Sequence, residues 1–203
     1  AFVALLDRFF GYGAAPVTQP GLAPDADEML AGYALHRFEG LNNEPDMEAP
    51  WAYQYAGRPD RTAEVVHAVT QQQFGTGRGG LPGNDDSGGL SSWYVWASLG
   101  LFPVAGQDLF LVNAPAWREA RVDVGGRPFT VDTRGFVEPE PGGPAQYVQR
   151  VTLDGAELDR TWLTGTELHA GGHLRVDLGP EPGPWTAATR PPSHPSRPAG
   201  SPA

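Results

Sequence analysis

The sequence predicts an α+β fold, with an array of helices first and antiparallel β-sandwich strands after them. Two observations carry this. Up to Pro103, apolar residues recur at helical spacing between long Gly- and Pro-rich loops. Beyond Pro103, short runs alternate apolar with polar residues and are separated by turn residues. Helices joined by loops, with no strand between them, argue for an all-α array in the first half and against a βαβ sheet.

The elements follow in order. Residues 1–10 (AFVALLDRFF) carry apolar side chains at 2, 3, 5, 6, 9 and 10, a helical pattern. A loop over 11–24 leads to a helix expected over 25–38, with Met29, Leu30, Tyr33, Ala34 and Phe38 on one side and Gly40 ending it. Residues 41–50 (LNNEPDMEAP) read as a polar loop, and 51–56 as a short helix stopped by Gly57. A long helix is expected over 61–74, with Val65, Val66, Ala68 and Val69 apolar. A glycine-rich loop then opens a helix at about Ser87 that runs through Leu99, where Gly100 and Pro103 form a stop signal. Strands are expected over 108–112, 121–124, 128–132, 146–153 and 173–178, with turns at Gly125-Gly126 and Asp154-Gly155. The organisation is therefore a helical part, 1–103, a β-strand region, 104–186, and a disordered Pro/Ser-rich tail, 187–203.

Composition excludes several classes. Acids outnumber Lys and Arg by 24 to 14, a net charge of -10, and no basic cluster is visible. That argues against nucleic acid or an anionic membrane surface as partner. No apolar run approaches the roughly 18 residues of a membrane span. There is no Cys, so disulfides and thiol catalysis are excluded. Six Trp and six Tyr suit carbohydrate contacts, although large aromatics more often build cores. The chain opens on Ala1-Phe2-Val3, inside an expected helix, and reads as a fragment.

Two stretches carry chemistry. The first is 79–103, GGLPGNDDSGGLSSWYVWASLGLFP, which delivers Asp85 and Asp86 to a helix start beside Trp93, Tyr94 and Trp96. Acids bind sugar hydroxyls and rings stack on pyranose faces. The competing reading is that Asp86 or Ser87 is simply the helix N-cap, with the other acid solvated. The second is Leu41-Asn42-Asn43-Glu44-Pro45. Its carbonyls, amide oxygens and carboxylate are hard ligands of the kind calcium prefers, while Asn-rich loops also serve as plain turns.

The segment GLPGNDDSGGLSSWYVWASLGLFPV closely resembles the C-terminal signature of the glycoside hydrolase family 92 α-mannosidases. NEPDMEAPWAYQYAGRP resembles the Asn-Glu-Pro motif that precedes it in that family. The resemblance covers about residues 1–185 and implies the last helices of an (α/α)6 toroid followed by the closing strands. It implies a calcium-dependent, inverting exo-α-mannosidase acting on terminal mannose of glycans. Asp86 is then the general base, with Asp85 and Asn84 as helpers and Trp93 as a candidate sugar contact. Asn42 and Asn43, through backbone oxygens, and Glu44 would hold the calcium. The family's general acid is a Glu in a motif upstream of this chain, which leaves the chain inactive alone. Met47 and Glu48 stand where many relatives carry a His, and Asn84 where some carry an acid. The alternatives are a non-catalytic calcium-dependent carbohydrate-binding module and a fragment with no independent fold. Oligomeric state and compartment stay open, with an extracellular or periplasmic place expected for the full-length protein.

Overall fold

The computed structural model describes residues 1–12, 41, 44–140 and 142–193, without the side chains of 44, 45 and 186. The helix expected over 25–38, and Asn42 and Asn43, lie outside the described residues. The helical part contains α1 (Phe2–Phe9), α2 (Glu44–Tyr55), α3 (Pro59–Gln72) and α4 (Gly89–Ser98). The strands are β1 (Leu101–Pro103), β2 (Phe110–Val112), β3 (Glu119–Val124), β4 (Arg127–Arg134), β5 (Tyr147–Leu153), β6 (Ala156–Leu158), β7 (Trp162–Leu163) and β8 (Gly172–Gly179). A short helix α5 (Gly165–His169) precedes β8, and a 3-10 turn (Pro184–Ala187) follows it.

The polar loop expected over 41–50 is largely helix, because α2 begins at Glu44. Pro45 sits in its first turn, where a missing N–H costs nothing. Pro50 lies inside the helix and would ordinarily disrupt it. Burial holds the segment helical: Trp51 and Tyr53 are among the largest fully buried side chains. The Thr62 hydroxyl of α3 also donates to the Pro50 carbonyl at 2.9 Å.

Three layers result. The helices bury Trp51, Tyr53, Val65, Val69, Trp93 and Ala97 in one core. A small sheet of order β1-β2-β7 forms the middle layer. Its Phe102, Leu111 and Trp162 belong to the helical core, while Leu101, Val112 and Leu163 belong to a second core. This is the two-residue alternation of a strand buried on both faces. The outer layer is a sheet of order β3-β4-β8-β5-β6, which adds Phe129, Val131, Val151, Leu174 and Val176 to the second core.

The α+β class and the sandwich of strands hold, and four details differ from the sequence reading. The β4–β8 pair is parallel, while the other pairs are antiparallel. The stop signal after α4 is itself strand β1, paired as Leu101 with Val112. Gly100 makes this sharp change possible: its φ is +73°, and a Cβ there would lie 2.7 Å from the Asn113 carbonyl oxygen. The α5 helix was not anticipated; it is started by a capping box between Thr164 and Glu167. The chain just past 187, expected to belong to the tail, is tied down: the Thr189 N–H donates to the Asp159 carbonyl and its own carbonyl accepts from Thr161.

One carboxylate joins helices to strands. Glu64 of α3 accepts from Tyr12 at 2.5 Å, from Arg61 at 2.8 Å and from Tyr147 of β5 at 2.9 Å. Arg61 also lies over the Tyr12 ring at 3.8 Å. Burial first, and then the Glu64 charge, push both tyrosine hydroxyls far above their usual titration range, so both stay protonated donors. Removing the acceptor leaves these donors unpaired. Glu64→Ala is therefore expected to lower stability by about 2–4 kcal/mol, and Tyr147→Phe by about 1 kcal/mol. Urea denaturation monitored by tryptophan fluorescence measures both, and equal effects would contradict a shared acceptor.

Candidate active site

The glycine-rich loop enters α4 through three consecutive residues with left-handed backbone: Asp86 at φ +30°, Ser87 at +63° and Gly88 at +85°. Such a backbone costs a non-glycine residue roughly 1–2 kcal/mol. Strain of this kind concentrates at functional sites. It also moves the helix start. The helix begins at Gly89, with Gly88 as N-cap, later than the expected start at Ser87.

The two acids have different surroundings. Asp85 is the one that α4 captures. Its Oδ1 accepts the Ser91 backbone N–H at 2.8 Å, and its Oδ2 accepts the Ser91 hydroxyl at 2.7 Å. The hydroxyl bond first, and then the backbone bond, hold the Asp85 carboxyl below the usual carboxylate range. The side-chain role weighed for Asp86 or Ser87 therefore falls to Asp85, which takes the Ser91 N–H of the first turn, while Gly88 holds the N-cap position. Asp86 and Asn84 are exposed to solvent at the tip of this loop.

Helix α2 brings the second stretch to the same place. The Met47 carbonyl, in the first turn of α2, accepts the Trp93 indole N–H at 2.8 Å. A Cβ on Gly89, the first residue of α4, would lie 3.4 Å from the Met47 Cε. The start of α2 at Glu44 and the start of α4 at Gly89 are thus neighbours, although distant in the chain. Both helix N-termini carry partial positive charge, which favours ionised carboxylates near them. Trp93 itself is only 3% exposed. Its ring stacks on Phe74 at 5.7 Å and 7°, and Trp51 approaches at 6.5 Å. The expected sugar contact through Trp93 therefore meets a ring that is packed, with no face open to solvent. Tyr94, tilted against Phe74 at 5.0 Å, is the half-buried aromatic beside it. Sequence reasoning did not single out Phe74 or Ser91; the Ser91 partner was detectable as a hydroxyl in the first turn after an acidic loop.

The metal expectation rests on Asn42, Asn43 and Glu44, of which the first two lie outside the described residues. Among the described residues no three His, Asp or Glu side chains stand together as a metal site. A cavity of about 550 Å3 does exist, but it lies elsewhere, between α3 and the 135–146 segment, lined by Val66, His67, Thr70, Phe136 and Leu178. It is mostly apolar and contains none of the residues of the acidic loop. The acidic loop lies apart from this cavity, at the two neighbouring helix starts.

The profile of the glycosyl hydrolase family 92 catalytic domain matches residues 1–180. The chain belongs to this family. It is 35% identical over 147 residues to an uncharacterized secreted glycosidase of Arthroderma benhamiae, an overlap covering 71% of this chain and 19% of that protein. Its fold is similar to a family 92 α-mannosidase of Bacteroides thetaiotaomicron in complex with mannoimidazole, with TM-score 0.74 and 23% identity, covering 95% of this chain and 24% of that one. It is likewise similar to a family 92 inverting mannosidase from the same species, with TM-score 0.70 and 26% identity, covering 94% and 25%. The chain thus spans about a quarter or less of the length of these relatives. Its exposed Phe2, Leu5 and Val95 leave apolar helix surface open to solvent.

The Asp85 geometry has a direct test. Because its folded-state pKa lies below the unfolded value, its contribution is present above the unfolded pKa and is lost as pH falls through the folded one. Ser91→Ala should move the Asp85 carboxyl pKa back up, as read by 13C NMR titration. An unchanged titration would show that Ser91 does not hold this carboxylate.

Proposed function

We propose that the full-length protein containing this chain is a calcium-dependent, inverting exo-α-mannosidase of glycans, with Asp86 as its general base. The observation that carries this is the meeting of the two motif-bearing helix starts, Glu44 and Gly89, at Met47 and Trp93. In the inverting reaction, the Asp86 carboxylate removes a proton from water, and the oxygen attacks the anomeric carbon from the face opposite the leaving group. An acid from outside this chain protonates the departing glycosidic oxygen. The two carboxyl groups then stand about 6.5–9.5 Å apart, with the water between. The solvent-exposed, glycine-flanked position of Asp86 gives such a water access. Asp85, committed to Ser91, anchors the loop, and Asn84 offers an amide to orient the water or a sugar hydroxyl.

The donor set of the Asn42–Glu44 stretch is all oxygen, which fits a hard cation such as calcium. Asn42 and Asn43 would bind through backbone oxygens and Glu44 through its carboxylate. An ion held there would supply positive charge for neighbouring hydroxyls of mannose and would favour ring distortion. The remaining ligands would come from other parts of the protein, from water and from the sugar. The secreted description of the Arthroderma relative supports an extracellular place for the full-length protein.

Three outcomes are expected. Asp86→Asn in the full-length protein lowers kcat on an aryl α-mannoside by on the order of 10² or more, whereas Asp85→Asn costs less. Exhaustive chelation abolishes activity and calcium restores it; activity surviving chelation would sink the calcium assignment. The first mannose anomer seen by NMR is β, and an α product would exclude inversion.

A further inference from the structure

We infer that Trp93 is a positioning residue for this site, the strut that fixes the start of α2 against the loop that carries Asp86. This rests on the proposed function. The three segments that frame the acidic loop are the first turn of α2, the end of α3 where the glycine-rich loop departs, and the first turns of α4. Trp93 touches all three. Its indole N–H donates to the Met47 carbonyl of α2 at 2.8 Å. Its ring lies face to face with Phe74, just past the end of α3. Its own backbone is part of α4, two residues beyond Ser91, which holds Asp85.

The buried indole N–H of Trp93 is satisfied by the Met47 carbonyl, which points the edge of the ring across to α2. The second contact in the seam, Met47 against Gly89, has no side chain on the α4 side. The two helix starts are therefore held together by the tryptophan donor, with Met47 packed beside Gly89 in ordinary contact range. The loop between them is polar, glycine-rich and solvent-exposed, so it has little packing of its own to set its position. A displacement of about 1 Å at reacting groups costs up to 10² in rate. The role differs from sugar stacking, which would require an open ring face, and from core filling, which would act on stability alone.

The test uses the full-length protein and an aryl α-mannoside. Trp93→Phe keeps an aromatic ring against Phe74 and removes the N–H donor together with part of the ring volume. It is expected to lower kcat by about tenfold or more, with KM within about twofold of wild type. Gly89→Leu leaves Trp93 in place and puts a branched side chain against Met47, loosening the same seam from the α4 side; the same fall in kcat is expected, and this variant decides if Trp93→Phe does not fold. Both are compared with Asp86→Asn in the same assay. If Asp86→Asn is inactive while the folded strut variants keep wild-type kcat, the positioning role is wrong and the catalytic reading stands. A raised KM with unchanged kcat in Trp93→Phe would make Trp93 a sugar contact instead. Wild-type turnover by Asp86→Asn would remove the catalytic reading, and the positioning role with it.

Discussion

Two elements distant in sequence converge on the carboxylate of Glu64, beside an arginine of its own helix, and the arrangement of the layers depends on that convergence. Tyr12 arrives from the end of α1, Arg61 from the preceding turn of α3, and Tyr147 from β5 of the outer sheet. A second polar link runs alongside: the Tyr53 hydroxyl of α2 donates to Asp7 of α1 at 2.8 Å. A third crosses from helix to strand, where the fully buried Gln54 donates to the Val112 carbonyl at 2.8 Å. Apolar layers alone would pack in several registers. Hydrogen bonds with buried donors select one, because any slip leaves a donor without its acceptor.

The middle sheet makes this selection matter for the acidic loop. β1 follows α4 after only Leu99 and Gly100, so the axis of α4 is set by the pairing of Leu101 with Val112. The far end of α4, where Asp85 and Asp86 sit, is held to α2 through Trp93. One helix is thereby anchored at its C-terminal end by a strand ladder and at its N-terminal end by an indole. The strained turn over 86–88 lies just outside the second anchor. A rigid frame next to a strained, exposed turn is how a scaffold presents a carboxylate without burying it.

Much of this was legible in the residues, and the exceptions have physical causes. The pattern of α3 and of β3, β4, β5 and β8 was readable because burial on one face enforces a period of 3.6 or 2. The start of α2 was not, because Pro45 and Pro50 within one short stretch read as a loop until the burial of Trp51 and Tyr53 is known. The direction of β8 beside β4 was not readable either, since alternation of side chains is the same in parallel and antiparallel strands. The Thr164–Glu167 capping box could have been read and would have placed α5. At the site, both acids and the helix were visible, but which acid caps it depends on three left-handed residues, one of which is Asp86 itself.

The order of the outer sheet has a consequence for how the chain is made. Among the described residues, β8 is the last strand in sequence and the central one of its sheet, between β4 and β5. On the ribosome, β4 and β5 emerge first, each with one bare edge of unpaired amides and carbonyls. Those edges stay open until the chain through Gly179 has left the exit tunnel and β8 slides between them. During that interval the nascent sheet is a template for pairing with other chains, and non-local insertion of this kind is slow. Assembly of the outer layer thereby waits for β8, and a chaperone that shields strand edges has its window of action before then.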